Sequence, residues 1–543
     1  MLITLRSLSC TAATVLIIGF STSTALGLAG YAGIQLSPIS IMAPTIILTL
    51  AIADSVHILV SMSSLMREGR SKIAALKESL RINFLAVTIT SITTIVGFLT
   101  LNFSDSPPFW DLGNITAMGI AAAWFYSITF LPAVMSLLPH KVRPRRAGRL
   151  DGDAVMERLA AFVTARYRVI LFATGALAAG LIAAVPTIEL NDQWVKYFDH
   201  RIQFRDDAEF GLEHLSGLYT VEFSVEAEEP GGISEPVYLE RLDAFATWLR
   251  AQPEVRHVYS YTDVIKRLNK NMHGDDPSWY RIPEDRELAA QYLLLYELSL
   301  PYGLDLNDRI SIDKSASRVT ATVDEISTVG VRAFFTRAED WLRENTPDYM
   351  SAKPTGPTVM FAYISVRNIE SMLRGNLVAV LLISAIMILS LRSLPLGALS
   401  LIPNAIPILM TFGVWALLVG KVGMAAATVS ATSLGIIVDN TVHFMTKYLR
   451  ARRERDFDRP AAIEYAFRTV GTAIAANAVI LALGFVILSA STFKINAEMG
   501  LLTAIAIVIA LVVDFTLLPA LLLIGHEKEK GEPHAEETLV QTA

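Results

Sequence analysis

Residues 433–455 read SLGIIVDNTVHFMTKYLRARRER, and an apolar run entering from Met424 carries Asp439, Asn440 and His443 before it ends in Lys447, Arg450, Arg452 and Arg453. A run of this length crosses a bilayer as a helix, where a carboxylate near the middle is costly. Such a group faces other helices or a water path, and it serves an ion or substrate route. The pattern occurs twice: LAIADSVHILVSMSSLMREGR at 50–70 sets Asp54 and His57 ahead of Arg67 and Arg70.

The chain has 543 residues, 52% of them hydrophobic and 18% charged, too apolar for a soluble protein and too long for one domain. It reads as a polytopic α-helical membrane protein. The net charge of -6 decides little, because the placement of Lys and Arg beside the spans is what orients such a chain. The single cysteine, Cys10, excludes an internal disulfide and two-cysteine metal or redox motifs. Basic residues cluster only beside apolar spans, which argues against nucleic acid as a partner. There is no phosphate-binding loop, nucleophile elbow or HExxH arrangement, so the sequence points to no enzyme, cofactor or metal.

Apolar runs of about twenty residues predict ten full spans, at 9–30, 38–60, 84–102, 114–138, 169–187, 373–391, 397–420, 424–446, 470–490 and 499–524. Lys and Arg gather at 67–81, 141–149 and 447–459, which alternation of the ten spans puts on one, cytoplasmic, side. The domain plan is a first membrane block at 1–138, a basic linker at 139–168, a lone span at 169–187, an exported domain at 188–372, a second block at 373–524 and a disordered tail at 525–543. Amphipathic connectors at 62–82 and 446–468 are expected to lie on the cytoplasmic membrane face.

The insert mixes alternating runs (LYTVEFSVEAE, SRVTATVDEI) with amphipathic helical ones (EPVYLERLDAFATWLRAQ, VRAFFTRAEDWLRENT), as an α+β domain should. Each helix leads into a further strand-like stretch, HVYSY or YMSAKPTGPTVMF, and two β-α-β units in a split ferredoxin-like sheet are the economical fold. Ahead of them NDQWVKYFDHRIQFRDDAEF is aromatic and charged without clear periodicity, suited to packing or to a clamp on the membrane surface.

An internal repeat is legible. LRSL at 5–8 recurs 386 positions on at 391–394, and His57 recurs as His443 at the same offset. Gly97 and Phe98 recur as Gly484 and Phe485, and LPA at 131–133 recurs at 518–520, both at 387. Parallel repeats fit a transporter of two membrane halves about an axis normal to the bilayer. LRSL then closes a helix stub at the start of the chain, so a signal peptide is not expected. If both halves are equally equipped, roughly 217 residues, one span and one exported domain, belong ahead of Met1.

VDNTVHF at 438–444, its partner ADSVHIL at 53–59, the LPA that closes each block and NDQWVKYFD resemble the resistance-nodulation-division superfamily, in particular its hydrophobe/amphiphile exporters and the "membrane protein large" transporters. The resemblance covers the whole chain. It implies proton-driven export of hydrophobic or amphiphilic molecules, lipid-like ones included, from a bacterial inner membrane. It also implies a periplasmic placement of the insert; a homo-oligomer or a periplasmic accessory protein is a candidate partner. Asp54 and Asp439 stand where such proteins carry their energy-coupling acids. Relatives often set two polar or acidic residues ahead of the His; here Asp54 aligns with Asn440 and Ala53 with Asp439, so each half keeps a different carboxylate.

Asp54 and His57 are three apart, and Asp439 and His443 four, so each pair shares a helix face. A carboxylate near an imidazole is a candidate proton relay, with Asn440 alongside. Ser55, Thr441, Asn477 and Asp514 are candidates to support it. The plainer readings are an Asp that ties two helices and an interfacial His. Competing functions are a protein-export accessory of the same superfamily, a sterol-sensing or lipid-binding module without transport, and an inert remnant.

Overall fold

The computed structural model describes residues 7–140, 152–215, 217–301 and 304–524. The start of the first LRSL, the basic residues at 141–149 and the tail after 524 lie outside them. The chain divides into two compact units, Met1–Glu189 with Arg367–Ala543, and Leu190–Val366.

In the first unit, helix α1 (Leu8–Tyr31) opens at Ser7, whose hydroxyl accepts the Cys10 N–H at 3.3 Å and caps one of the free amides of the first turn. Helix α2 (Ala43–Arg67) and helix α3 (Lys72–Leu99) are joined by a four-residue turn in which Gly69 takes φ +92. The connector expected at 62–82 is therefore not a separate surface helix: its two ends extend the flanking spans, since a positive-φ glycine alone reverses the chain. Helix α4 (Pro107–Ile128) breaks at Thr129 and resumes over Phe130–Leu137. Helix α5 (Gly152–Ala184) kinks at Arg166, with φ -122 and ψ 23.

The second unit is a four-stranded sheet covered by helices. Strand β1 (Tyr219–Glu226), helix α6 (Pro236–Arg250), strand β2 (Val255–Tyr259), strand β3 (Ala316–Val323), helix α7 (Thr328–Asn345) and strand β4 (Pro354–Thr355) follow in that order, with two further helices between β2 and β3. The spatial order is β2-β3-β1-β4 and every neighbouring pair is antiparallel, with Phe223 opposite Val319 and a bulge between Val255 and His257. Alternation in β1 sends Val221, Phe223 and Val225 inward. They meet Leu242, Phe245 and Leu249 of α6 and Phe334, Phe335 and Leu342 of α7 in one core. The strand expected over YMSAKPTGPTVMF shrinks to two residues, because Gly356 at φ +109 turns the chain and Pro357 starts a helix. NDQWVKYFD packs into this unit: Val195 is fully buried, Trp194 stacks on Phe361, and Asp192 accepts the Ser365 hydroxyl at 2.6 Å.

Helix α8 (Pro357–Leu391) is one continuous helix across 372–373, where a boundary is expected from hydropathy, which reports only its membrane-thick half. Helix α9 (Leu401–Leu418), helix α10 (Met424–Glu454), helix α11 (Thr472–Leu488) and helix α12 (Lys494–Leu522) complete the first unit. The second expected connector, 446–468, is likewise absorbed, into the end of α10 and into Arg459–Ala466, which a π-helical turn at 467–471 joins to α11.

Nine helical stretches among the described residues are long and apolar enough to cross a membrane, which makes the chain a multi-span membrane protein. Helix α10 is not among them, yet every residue from 428 to 445 is buried. It meets protein on all sides rather than lipid, so polar groups there can find partners and apolarity is not demanded. Helix α5 is the opposite case, with only 11% of its most apolar stretch buried.

Two close crossings join the blocks. A Cβ on Gly97 of α3 would stand 3.1 Å from the Gly435 backbone of α10, and a Cβ on Gly484 of α11 would stand 2.5 Å from Thr49 of α2. Gly435 lies 386 positions after Thr49 and Gly484 lies 387 after Gly97, so the two crossings are one contact written twice by the repeat. Small residues let helix backbones approach this closely.

Candidate functional site

Asp439 projects from the middle of α10 into the interior, 7% exposed. Asn477 of α11 donates its Nδ2 to Asp439 Oδ2 at 3.0 Å. One turn along α10, His443 Nε2 lies 3.5 Å from Asp439 Oδ1, and from α2 His57 Nε2 lies 3.9 Å from Oδ2. Both distances exceed a hydrogen bond. The two imidazoles stack face to face, with centroids 3.7 Å apart and planes within 9°. They are 1% and 0% exposed, and none of their four nitrogens has a hydrogen-bond partner among the described residues.

Asp54, on α2, is 8% exposed and accepts from Ser91 Oγ of α3 at 3.4 Å. The arrangement mirrors the other half: Ser91 precedes Asn477 by 386 positions, and each bonds the carboxylate of its own block. Asp54 and Asp439 line one cavity of about 20 Å³, together with Ala53, Thr90, Ser91 and Thr94. That is room for about one water molecule.

A second polar cluster lies deeper in the second block. Thr441 Oγ1 is 2.7 Å from Oδ1 of Asp514, on α12, and 2.9 Å from Oδ1 of Asn404, on α9. Its single proton can serve one of these oxygens at a time. Asn440 also interacts with Asp514, whose Oδ2 has no hydrogen-bond partner among the described residues.

The fold thus gathers Asp54, His57, Asp439, His443 and Asn477 in one group, and Asn440, Thr441 and Asp514 in the adjoining one. Ser55 stands apart: its hydroxyl donates to the Ala51 carbonyl of its own helix at 3.0 Å. Ser91, Thr90 and Asn404 also adjoin these groups, and the sequence reading does not single them out. Ser91 was within reach of the repeat, as the counterpart of Asn477, and Asn404 is a bare amide inside an apolar run.

His57, Asp439 and His443 bring ligand-type atoms within 4.8 Å of one another. Stacked rings, however, point their in-plane lone pairs along parallel lines, so they do not converge on one ion about 2.1 Å from each nitrogen. The geometry therefore does not suit coordination of one ion by all three residues.

The chain is 32% identical over 139 residues to a membrane protein of Methanocaldococcus jannaschii, covering 26% of this chain and 36% of that one. It is 27% identical over 187 residues to the membrane protein ActII-3 of Streptomyces coelicolor (34% of this chain, 26% of the relative), and 27% over 163 residues to the hopanoid transporter HpnN of Burkholderia multivorans (29% and 18%). The matches thus span about a third or less of the relatives' length. Among solved structures, the hedgehog release protein Disp of the water bear Hypsibius dujardini superposes with a TM-score of 0.65 at 14% identity, over 96% of this chain and 68% of that one. SecDF superposes with 0.57 at 12%, over 96% and 59%. These two show a shared fold. The model of the MMPL family matches residues 1–169 and 305–538, which takes in both carboxylate-bearing helices, and the chain belongs to that family.

Proposed function

We propose that this chain exports hydrophobic or amphiphilic, lipid-like molecules, driven by protons that bind and leave at Asp54 and Asp439. The observation that carries the reading is the shared cavity: two carboxylates, one from each pseudo-symmetric block, face a single water-sized space deep among the helices, beside a pair of stacked imidazoles. A buried carboxylate that is neutral in one conformation and ionised in another couples its proton to that change. If it gains the proton from one side and releases it to the other, the membrane potential contributes about 2.3 kcal/mol per charge per 100 mV. The small-residue crossings at Gly97–Gly435 and Gly484–Thr49 flank the cavity as the surfaces on which the two blocks rock.

In this reading α10 crosses the membrane as well, the basic helix ends are cytoplasmic and the membrane is the bacterial inner one. The α+β unit, whose strand order and directions are those of a split βαβ sheet, is a ferredoxin-like domain on the periplasmic side. Hopanoid transport by a relative supports a lipid-like substrate class, and the family supports a transporter rather than an enzyme.

The test is proton uptake by the purified full chain in vesicles of bacterial lipid extract, read with luminal pyranine under an imposed pH gradient, alongside movement of a fluorescent phospholipid between leaflets. Asp439→Asn is expected to fold and to lose both activities. Wild-type uptake by that variant, or lipid movement indifferent to a protonophore, would overturn the coupling.

A further inference from the structure

Lys447 sits two turns beyond Asp439 on α10, in the order Asp439, His443, Lys447 at steps of four residues. That spacing stacks the three side chains on one helix face at about 6 Å intervals. Lys447 is 2% exposed. Its Nζ donates to the Ile82 carbonyl of α3 at 3.0 Å, and among the described residues it forms no ion pair with a carboxylate. On the next residue of α3, Asn83 donates to the His57 carbonyl at 3.4 Å and, among the described residues, leaves its own buried Oδ1 without a partner. A lysine shut away from water and held by a backbone carbonyl is not explained by topology, which asks for cations in solvent at the helix end. Arg450 already meets that need one turn further on, paired with Glu454 at 2.8 Å.

We propose that Lys447 is the last proton station on the basic side of the column. Resting on the proposed coupling at Asp439, the step runs as follows: an imidazolium of the His57–His443 pair passes its proton along the column to the Lys447 amine, the imidazole returns to neutral, and the ammonium releases that proton to solvent beside the Arg450–Glu454 pair. An ε-amine can hold or release a proton, whereas a guanidinium stays charged. The charged and titratable groups around Lys447 are His443, Arg450 and Glu454 of its own helix, His57 of α2, and the Glu78–Arg81 pair of α3, which senses Arg450 and Glu454. The repeat makes the station one-sided, because the position 386 residues earlier is Ser61.

The experiment is the pyranine uptake assay on the full chain in vesicles, from pH 5.5 to 8.5, with Lys447→Met, Lys447→Arg and Lys447→His. Met and Arg are each expected to slow uptake at least tenfold; should the Met variant fail to fold, the charge-keeping Arg variant decides. His is expected to restore at least a third of the wild-type rate, with the pH of half-maximal uptake moved by a unit or more toward acid. An Arg variant at wild-type rate, or a His variant as slow as Arg, overturns the proposal. Asp439→Asn, run alongside, separates the two claims: if it alone is inactive, Lys447 is not a station and the coupling stands, and if it is fully active the coupling itself fails.

Discussion

His57 and His443 stand 386 positions apart in sequence and 3.7 Å apart in space, ring on ring. The pair lies where the repeat's two copies meet, so one histidine of each block supplies half of a single structure. Replacing His57 with Phe keeps the stacking surface and removes both nitrogens. The expectation is a folded protein whose proton uptake falls by about 10²-fold or more, the range found for a positioned acid–base group. Uptake at the wild-type rate would assign the stack to packing alone.

Gly97 is held by the backbone of Gly435 rather than by a yielding side chain. Gly97→Ala presses a Cβ onto the α10 backbone and is expected to cost about 1–3 kcal/mol, the usual penalty for overpacking. Gly484→Ala meets only the Thr49 methyl, a side-chain end that can turn, and should cost less. Thermal unfolding of the two variants in detergent gives the comparison, and equal losses would contradict the difference between backbone and side-chain contact.

His140, just past the helix end at Leu137, bridges Ser7 Oγ at 3.0 Å and Ser63 Oγ at 3.2 Å. Burial holds its imidazole below the usual histidine range, and the nearby Lys72 and Arg67 push the same way. The unfolded chain therefore binds the proton more readily than the folded one, and stability rises with pH across the window between the two values. The contribution is complete above about pH 6.5, the unfolded value, and declines as pH falls below it. Unfolding midpoints from pH 5 to 7.5 should show this slope, and His140→Gln should flatten it.

In the α+β unit, Tyr238 is 1% exposed and its hydroxyl donates to the Val225 carbonyl at 2.9 Å while meeting Ser317 Oγ at 2.7 Å. Tyr238→Phe leaves both partners buried and short of a bond, at a cost of about 1–3 kcal/mol. Urea unfolding followed by the fluorescence of Trp248 and Trp341, which stack beside Phe245, reads it directly. A midpoint unchanged from wild type would show that the hydroxyl is dispensable.

Much of the site was legible before any coordinates. Asp54, His57, Asp439 and His443 stood out because ionisable groups inside apolar runs are costly enough to require a reason. Asn477 came with them as a lone amide in a span. Ser91 did not, since a serine in an apolar helix can bond its own backbone and be silent, as Ser55 does. Helix lengths were underestimated at α3, α5 and α8, because hydropathy stops where the lipid does and the backbone hydrogen bonds do not. In the sequence Lys447 is one of several basic residues at a helix end; its burial comes with packing against α3, where it meets the Ile82 carbonyl, and no local pattern reports that.

The sequence by itself determined that this chain is a membrane protein built as a repeat, and it named the few polar groups for which lipid has no place, because hydropathy and spacing are local and obey the transfer energies of single side chains. Only the tertiary structure decided which of these groups meet. Whether Asp54 faces Asp439 across one cavity, and whether His57 lies on His443, depends on how two blocks hundreds of residues apart pack at Gly97–Gly435 and Gly484–Thr49, a matter of ångström-scale contact that the order of residues does not express.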